Sequence, residues 1–251
     1  HAPHTLTEKG IGAAEMPSAS LRFCSKMPIT PKRLILPRNV WLLGIASLLN
    51  DIASEMIYPL LPAFLTVTLG GNTVVRPLGP ESYGIVVQSQ GNGTNDTTIN
   101  VNDGGYVESW AKSAGGIFVA GAGTNTINVA QGGTIDDGTG GIDGSSPNAT
   151  GVAITGSQPF TLNNAGTVNG SHVSPGGAST INNLPGGVLN TGATVDLGAG
   201  GRLNNAGTID PGGKGRMLTS NVTADLVQTA GGTLAIDGDH ASGNSDRLGV
   251  T

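Results

Sequence analysis

The sequence predicts a mainly β fold, a single-stranded parallel β-helix (solenoid) over residues 83–251, preceded by a disordered leader and one apolar helix. Three observations support this prediction. Glycine supplies 42 of the 251 residues, and each Gly costs roughly 1 kcal/mol in a helix interior. Short runs rich in Ile, Val, Leu and Thr suit strands. A unit that contains a Gly pair recurs at intervals typical of one coil of a solenoid.

The composition divides the chain near Gly70. Residues 1–70 contain 4 Gly and carry a net charge of +2, from 6 basic and 4 acidic residues. Residues 71–251 contain 38 Gly and carry −7, from 6 basic and 13 acidic residues, which together give the −5 of the whole chain. An acidic repeat region argues against a nucleic-acid partner, which would require a basic face. The single cysteine, Cys24, excludes a disulfide framework and a Cys-based zinc site.

The first part of the chain contains a leader and an apolar segment. Residues 1–39 are Pro-rich and show no sustained period, so we expect a disordered leader. Residues 40–70 are predicted to form an apolar helix, which is either membrane-spanning or signal-like. Its basic flank would then stay on the cytoplasmic side of an inner membrane, and residues 40–70 would be the chain's only contact with a membrane. A buried helix of a soluble domain is the remaining alternative.

The run SLLNDIASEMIYPLLPAFL, from Ser47 to Leu65, resembles the first membrane helix of a major facilitator superfamily transporter. That helix lines the substrate pathway in the family, so the resemblance implies that Asp51 and Glu55 are pathway residues. No second apolar span follows in this sequence, and one helix cannot build an alternating-access pathway. We interpret the segment as a fusion or gene-model remnant, with a targeting or anchoring segment as the alternative.

The repeat unit reads apolar, polar, three variable residues, Gly-Gly, any residue, apolar. Glycine pairs permit the positive φ angles of a tight turn, and Asn tolerates the same angles, so each copy predicts strand, turn, strand. The positive angles are expected at Gly187 and Gly201. Full copies begin at Ile99, Ile127, Ile181, Val195 and Leu226, and shorter copies begin at Leu162 and Leu203.

The spacing of these copies predicts how they stack. The starts at 162, 181, 203 and 226 are 19, 22 and 23 residues apart, which suits one coil each. The earlier starts at 99, 127 and 162 are 28 and 35 residues apart, so loops are expected around 90–97 and 136–150. Stacked coils would align three Asn pairs into side-chain ladders: Asn163-Asn164, Asn182-Asn183 and Asn204-Asn205.

The runs TINVAQGGTI, FTLNNAGTV and RLNNAGTID are similar to the passenger domains of bacterial autotransporters (type V secretion). The most specific stretch is Gly231 to Thr251, in which SDRLGV (Ser245 to Val250) matches an S-D-x-L-x-V pattern common near the end of such repeats. The resemblance implies a bacterial cell-surface, outer-membrane or secreted location. It also implies a host or cell-surface ligand, and a C-terminal membrane β-barrel that is missing from this chain.

Histidines are the first candidates for chemistry in the repeats. His172 and His240 are the two histidines after residue 71. Ser171 cannot pair with His172, because neighbouring residues of a strand point to opposite faces. A G-x-S-x-G nucleophile motif is absent from the sequence. Both histidines are therefore predicted to be solvated loop residues.

Two further motifs have structural explanations. The stretch from Gly207 to Gly215 resembles a P-loop, but it is one residue too long and lacks the Ser or Thr that holds magnesium, so a glycine turn is expected. Asp136, Asp137 and Asp143 could offer oxygens to calcium. They lack the EF-hand spacing, however, and a polar loop is expected there instead.

We therefore assign no catalytic, cofactor-binding or metal-binding residue, and no cofactor. The predicted function is that of a non-enzymatic autotransporter passenger fragment that acts as a β-helical stalk or adhesin, because the flank of a solenoid offers an extended binding face. One alternative is a β-helix enzyme acting on polysaccharide or another surface substrate, with its catalytic residues in the two loops. The other is a truncated major facilitator fragment with no transport activity of its own.

Overall fold

The computed structural model describes residues 40, 42–47, 65–77, 82–88, 95–109, 115–138, 151–174 and 176–251. The chain divides into two compact units, His1–Ile52 and Ala53–Thr251. In the first unit, Val40 and residues 42–47 are helical and exposed. No helix among the described residues is long and apolar enough to cross a membrane. The leader prediction and the pathway prediction for Asp51 and Glu55 fall outside the described residues.

The second unit is mainly β, as predicted, and its described residues form 21 short strands. The strands are β1 (Leu65–Leu69), β2 (Val74–Val75), β3 (Ile85–Val87), β4 (Thr97–Val101), β5 (Tyr106–Glu108), β6 (Gly115–Val119), β7 (Asn125–Val129), β8 (Thr134–Asp136), β9 (Val152–Gly156), β10 (Thr161–Asn164), β11 (Thr167–Val173), β12 (Thr180–Asn183), β13 (Val188–Asp196), β14 (Arg202–Asn205), β15 (Thr208–Pro211), β16 (Thr219–Thr223), β17 (Asp225–Gln228), β18 (Thr233–Leu234), β19 (Gly238–Asp239), β20 (Asn244–Ser245) and β21 (Arg247–Val250).

The strands are arranged in three parallel rows. The first sheet is one row of seven strands in the order β1-β4-β7-β10-β12-β14-β17. The second sheet contains two rows that share the long strands β11 and β13: β2-β5-β8-β11-β13-β15-β18 and β3-β6-β9-β11-β13-β16-β21. The chain visits the three rows in turn, and we call the strands added in one pass a layer. The pair β19 and β20 is antiparallel and lies outside the rows.

The predicted repeat positions lie in register in the first sheet. Ile127 pairs with Ile99 on one side and with Leu162 on the other. Ile181 likewise lies between Leu162 and Leu203. All five side chains are at most 1% exposed, so each apolar start of a repeat stacks on the one before it inside the unit. Full burial of such a side chain stabilises the fold by about 1.5–3 kcal/mol relative to leaving it in water.

The prediction of one apolar helix over residues 40–70 is not supported. Leu65–Leu69 form β1, which pairs in parallel with β4 along its whole length. The sequence LTVTL alternates apolar residues, Leu or Val, with Thr, which suits a pleated strand with one buried face. Val67 and Leu69 pack against the core. Among the described residues, the parallel rows therefore begin at Leu65, N-terminal to residue 83, where the sequence predicts the first repeats.

In the turns at Gly186-Gly187 and Gly200-Gly201 the two glycines have different roles, which corrects the expected positions of positive φ. The angle is +85° at Gly186 and +80° at Gly200, whereas neither Gly187 nor Gly201 has a positive φ. A Cβ atom at Gly187 would instead overlap the carbonyl oxygen of Asn164 in the preceding layer. The first glycine thus supplies the turn conformation, and the second leaves room for the neighbouring backbone.

The predicted Asn ladders are confirmed, and there are two of them. In the outer ladder each amide Nδ2 donates to the Oδ1 of the preceding layer, at 2.8–2.9 Å, from Asn204 through Asn182, Asn163 and Asn128 to Asn100. In the inner ladder the direction is reversed. Asn164 donates to Asn183, Asn183 to Asn205 and Asn205 to Gln228, at 2.8–2.9 Å.

Candidate functional site

Three carboxylates converge near the C-terminal end of the rows. Asp210 lies on β15, Asp237 follows β18, and Asp246 precedes β21. One carboxylate oxygen of each residue lies within 4.8 Å of one oxygen of the other two. Asp210 is 8% exposed and Asp246 is 4% exposed, whereas Asp237 is half-buried.

Backbone amides hold two of these carboxylates in place. Asp246 accepts hydrogen bonds from the amide of Leu218 through Oδ1, at 2.7 Å, and from the amide of Asp237 through Oδ2, at 2.8 Å. Asp237 accepts a hydrogen bond from the amide of Gly215 through Oδ2. In contrast, Oδ1 of Asp210 is buried and has no hydrogen-bond partner among the described residues.

Charge is concentrated at this point without a compensating side chain. In the described part of the chain, no Lys, Arg or His forms an ion pair with the three carboxylates. Burial, and after it the neighbouring carboxylates of Asp237 and Asp246, together raise the pKa of Asp210 to about 6. A buried carboxylate without a partner is costly in its charged form, which is why its pKa rises.

The glycine turn between Gly207 and Gly215 contributes to this cluster. Gly212, Gly213 and Gly215 all have positive φ, between +80° and +85°, which confirms the turn expected in place of a P-loop. The turn presents its last amide to the carboxylate of Asp237. The three Asp residues are not predicted as ligands from the sequence, because they are 27 and 9 residues apart and match no familiar spacing. Only the layer register brings them together.

The polar-loop interpretation of Asp136 and Asp137 is wrong, since the two residues are 3% and 0% exposed. Asp136 accepts a hydrogen bond from Nδ2 of Asn169, at 2.7 Å, and another from a backbone amide two residues further on. Asp137 accepts one from the amide of Gly151, at 2.5 Å. Both carboxylates therefore accept hydrogen bonds from backbone amides near the end of β8. Asp143 lies outside the described residues, as does most of each predicted loop.

The prediction of a solvated loop is also wrong for His172, which is fully buried in β11. In register it lies between Ile154 and Val195, so it occupies an aliphatic position of the core. Neither ring nitrogen has a hydrogen-bond partner among the described residues. Burial lowers the pKa of His172 to about 4, so the imidazole is neutral at pH 7. His240 lies in an exposed turn, as predicted.

The outer face of the first sheet presents a regular polar surface. Thr98, Thr126, Thr161 and Thr180 pair in register on successive strands. Each is half-buried and lies two residues before a member of the outer Asn ladder. Neighbouring strands are about 4.8 Å apart, and two residues along a strand span about 6.6 Å. The face is therefore a regular lattice of hydroxyl and amide groups.

Comparison with known proteins gives one short match. An uncharacterized MFS-type transporter of Methanocaldococcus jannaschii is 48% identical over 44 residues, which cover 18% of this chain and 11% of that protein. The match fits the transporter-like segment of the sequence. No family model matches the chain, and no solved structure matches it. The autotransporter resemblance thus rests on the sequence motifs alone.

Proposed function

We propose that residues 65–251 form a single-stranded parallel β-helix that acts as a non-enzymatic, autotransporter-like stalk with an adhesive face. The three rows support the solenoid, because each pass of the chain adds one parallel strand to every row. The main support for adhesion is the lattice of Thr and Asn on the outer face of the first sheet.

This lattice suits an extended polar ligand. A polysaccharide surface offers hydroxyl groups at regular intervals, and a regular polar face can contact many of them at once. Each contact is weak, but repetition over several layers adds avidity without a deep pocket. A fixed lattice also loses little conformational entropy on binding, because its side chains are already ordered by the ladder.

The test is retention of the purified full chain on insoluble polysaccharides such as cellulose and chitin. The variant Thr126→Ala/Thr161→Ala/Thr180→Ala removes hydroxyls from the proposed face and should lose most of the binding. The matched control, Thr134→Ala/Thr167→Ala/Thr208→Ala, removes three half-buried hydroxyls from a row of the second sheet and should bind like the original chain.

Two outcomes would contradict the proposal. Retention of the Thr126→Ala/Thr161→Ala/Thr180→Ala variant equal to that of the original chain would show that binding does not use this face. Release of soluble sugar by the original chain would favour the alternative of a β-helix enzyme acting on polysaccharide.

The N-terminal segment supports a separate proposal. We infer that the transporter-like residues are a fusion or gene-model remnant, because the matched stretch covers only 11% of the related transporter. Sequencing the genomic locus on both sides tests this directly. A complete transporter gene upstream, in another reading frame or on another transcript, is the expected result.

A further inference from the structure

We infer that Asp210, Asp237 and Asp246 bind one divalent cation and that this cation is calcium. Calcium is a hard cation that takes six to eight oxygen ligands, from carboxylates, backbone carbonyls and water, in flexible geometry. Three carboxylate oxygens that lie within 4.8 Å of one another provide a core of such ligands. Magnesium fits less well, because it demands near-ideal octahedral geometry.

Asp210 provides an observation that is independent of the clustering. The residue is 8% exposed, and its Oδ1 is buried without a hydrogen-bond partner among the described residues. Native proteins rarely leave such an atom unpaired, because its desolvation is uncompensated. The same carboxylate takes part in the cluster with Asp237 and Asp246, so an ion held there supplies the missing partner.

The other two carboxylates are already positioned as ligands. Asp246 is fixed by the amides of Leu218 and Asp237, and Asp237 by the amide of Gly215. Side chains held in this way lose little further entropy when an ion binds. Their three negative charges face no ion-pair partner in the described part of the chain, so a divalent cation would remove most of their mutual repulsion.

The consequence of binding would be structural. Asp210 belongs to β15, whereas Asp237 and Asp246 lie in the segment between β18 and β21. One ion would therefore join the last layer to the layer before it. Ions that bind the folded chain alone raise its stability by mass action, so the last layer should gain most.

A shared proton is the competing explanation. Two carboxylates at short distance can hold one proton between them, and burial together with the two neighbours raises the pKa of Asp210 to about 6. Protonation of the cluster and calcium binding to it depend on pH in opposite directions. The proton holds the cluster together as the pH falls, whereas calcium binds the ionised form and is lost on acidification.

The experiment uses the full chain at pH 7.5 after treatment with a chelator. Calcium chloride is titrated to about 10 mM, since extracellular calcium sites have Kd values on the order of 0.1–1 mM. Calorimetry measures the stoichiometry, and thermal unfolding measures the shift in Tm. We expect one ion per chain and a rise in Tm of roughly 5 °C or more at a hundredfold excess over Kd.

Three variants locate the site. Asp210→Asn and Asp237→Asn should each abolish the calcium-dependent rise in Tm. Asp237 is only half-buried, so Asp237→Asn can still show whether the cluster binds calcium if Asp210→Asn fails to fold. The matched control is Asp225→Asn on β17, which removes one exposed carboxylate outside the cluster and should retain the full calcium response.

Other outcomes would overturn the inference. One such outcome is a Tm that does not change with calcium at pH 7.5 but rises as the pH is lowered from 7 to 5. If Asp210→Asn abolishes that rise, the cluster holds a shared proton. A calcium response that survives in both Asp210→Asn and Asp237→Asn would place the ion elsewhere.

Discussion

Replacing Asn183 by Ala should cost far more stability than replacing its neighbour Asn182. Asn183 belongs to the inner ladder and is 1% exposed. Its Nδ2 donates to Oδ1 of Asn205, at 2.8 Å, and to the carbonyl oxygen of Thr208, at 2.9 Å. Its Oδ1 accepts a hydrogen bond from Nδ2 of Asn164, at 2.9 Å. The substitution removes all three bonds at a place that water does not reach.

The magnitude follows from the groups left without partners. Asn164 keeps a second acceptor, the carbonyl oxygen of Val188, at 3.0 Å. The amide oxygen of Asn205 and the carbonyl oxygen of Thr208 each lose a donor. A buried polar group left unsatisfied costs about 1–3 kcal/mol, so Asn183→Ala should lower the free energy of unfolding by about 2–6 kcal/mol.

Asn182 is the matched control, because it is the adjacent amide on the same strand but belongs to the outer ladder. It donates to Asn163 at 2.8 Å and accepts from Asn204 at 2.9 Å. The side chain is half-buried, so water can replace the lost partners, and Asn182→Ala should cost only about 1 kcal/mol. Urea unfolding followed by circular dichroism compares the two variants. Equal losses would refute the distinction between an inner and an outer ladder.

Two further predictions concern the core and the turns. Between pH 6.5 and pH 4, His172 is protonated in the unfolded chain but stays neutral in the folded chain. The free energy of unfolding is therefore highest above pH 6.5 and should fall by roughly 3 kcal/mol as the pH drops to 4. His172→Val should remove that loss, as measured by urea unfolding of both chains at pH 7, 5.5 and 4. Gly187→Ala should lower the free energy of unfolding by about 1–3 kcal/mol through overlap with the preceding layer, whereas Gly186→Asn should cost under about 1 kcal/mol because Asn tolerates positive φ. Thermal unfolding ranks these two variants, and the reverse order would contradict the separate roles of the paired glycines.

Much of the register could be predicted from the sequence, because identical residue types recur at intervals set by the layers. The starts at Leu162, Ile181 and Leu203 are in-register neighbours in the structure. The Asn pairs that follow them form ladders for the same reason. Repetition carries this information directly, since a residue of one layer packs against the equivalent residue of the next.

Features that depend on a partner in another layer could not be predicted from local sequence. His172 has polar neighbours in the chain, which favour a solvated position, but Ile154 and Val195 flank it in register and enclose it. Asp210 and Asp246 likewise meet only because the last layer folds against β15. The apolar residues of β1 continue a long apolar run, which predicts a helix, whereas pairing with β4 decides that the segment is a strand.

The end of the outer ladder offers a further prediction, this time of a gain in stability. The inner ladder continues from Asn205 to Gln228 on β17, but the outer ladder stops, because Val227 is the register partner of Asn204. Val227→Asn would place a donor beside Oδ1 of Asn204, which accepts no hydrogen bond from the described residues, and would extend the ladder by one layer.

The matched control for this extension is Val227→Ala, which removes the same apolar side chain, 38% exposed in the original chain, and adds no amide. The Asn variant should exceed the Ala variant by about 0.5–1.5 kcal/mol in the free energy of unfolding, the net value of one added hydrogen bond. If the Asn variant is no more stable than the Ala variant, the outer ladder is a consequence of the stacking of the layers and does not stabilise that stacking.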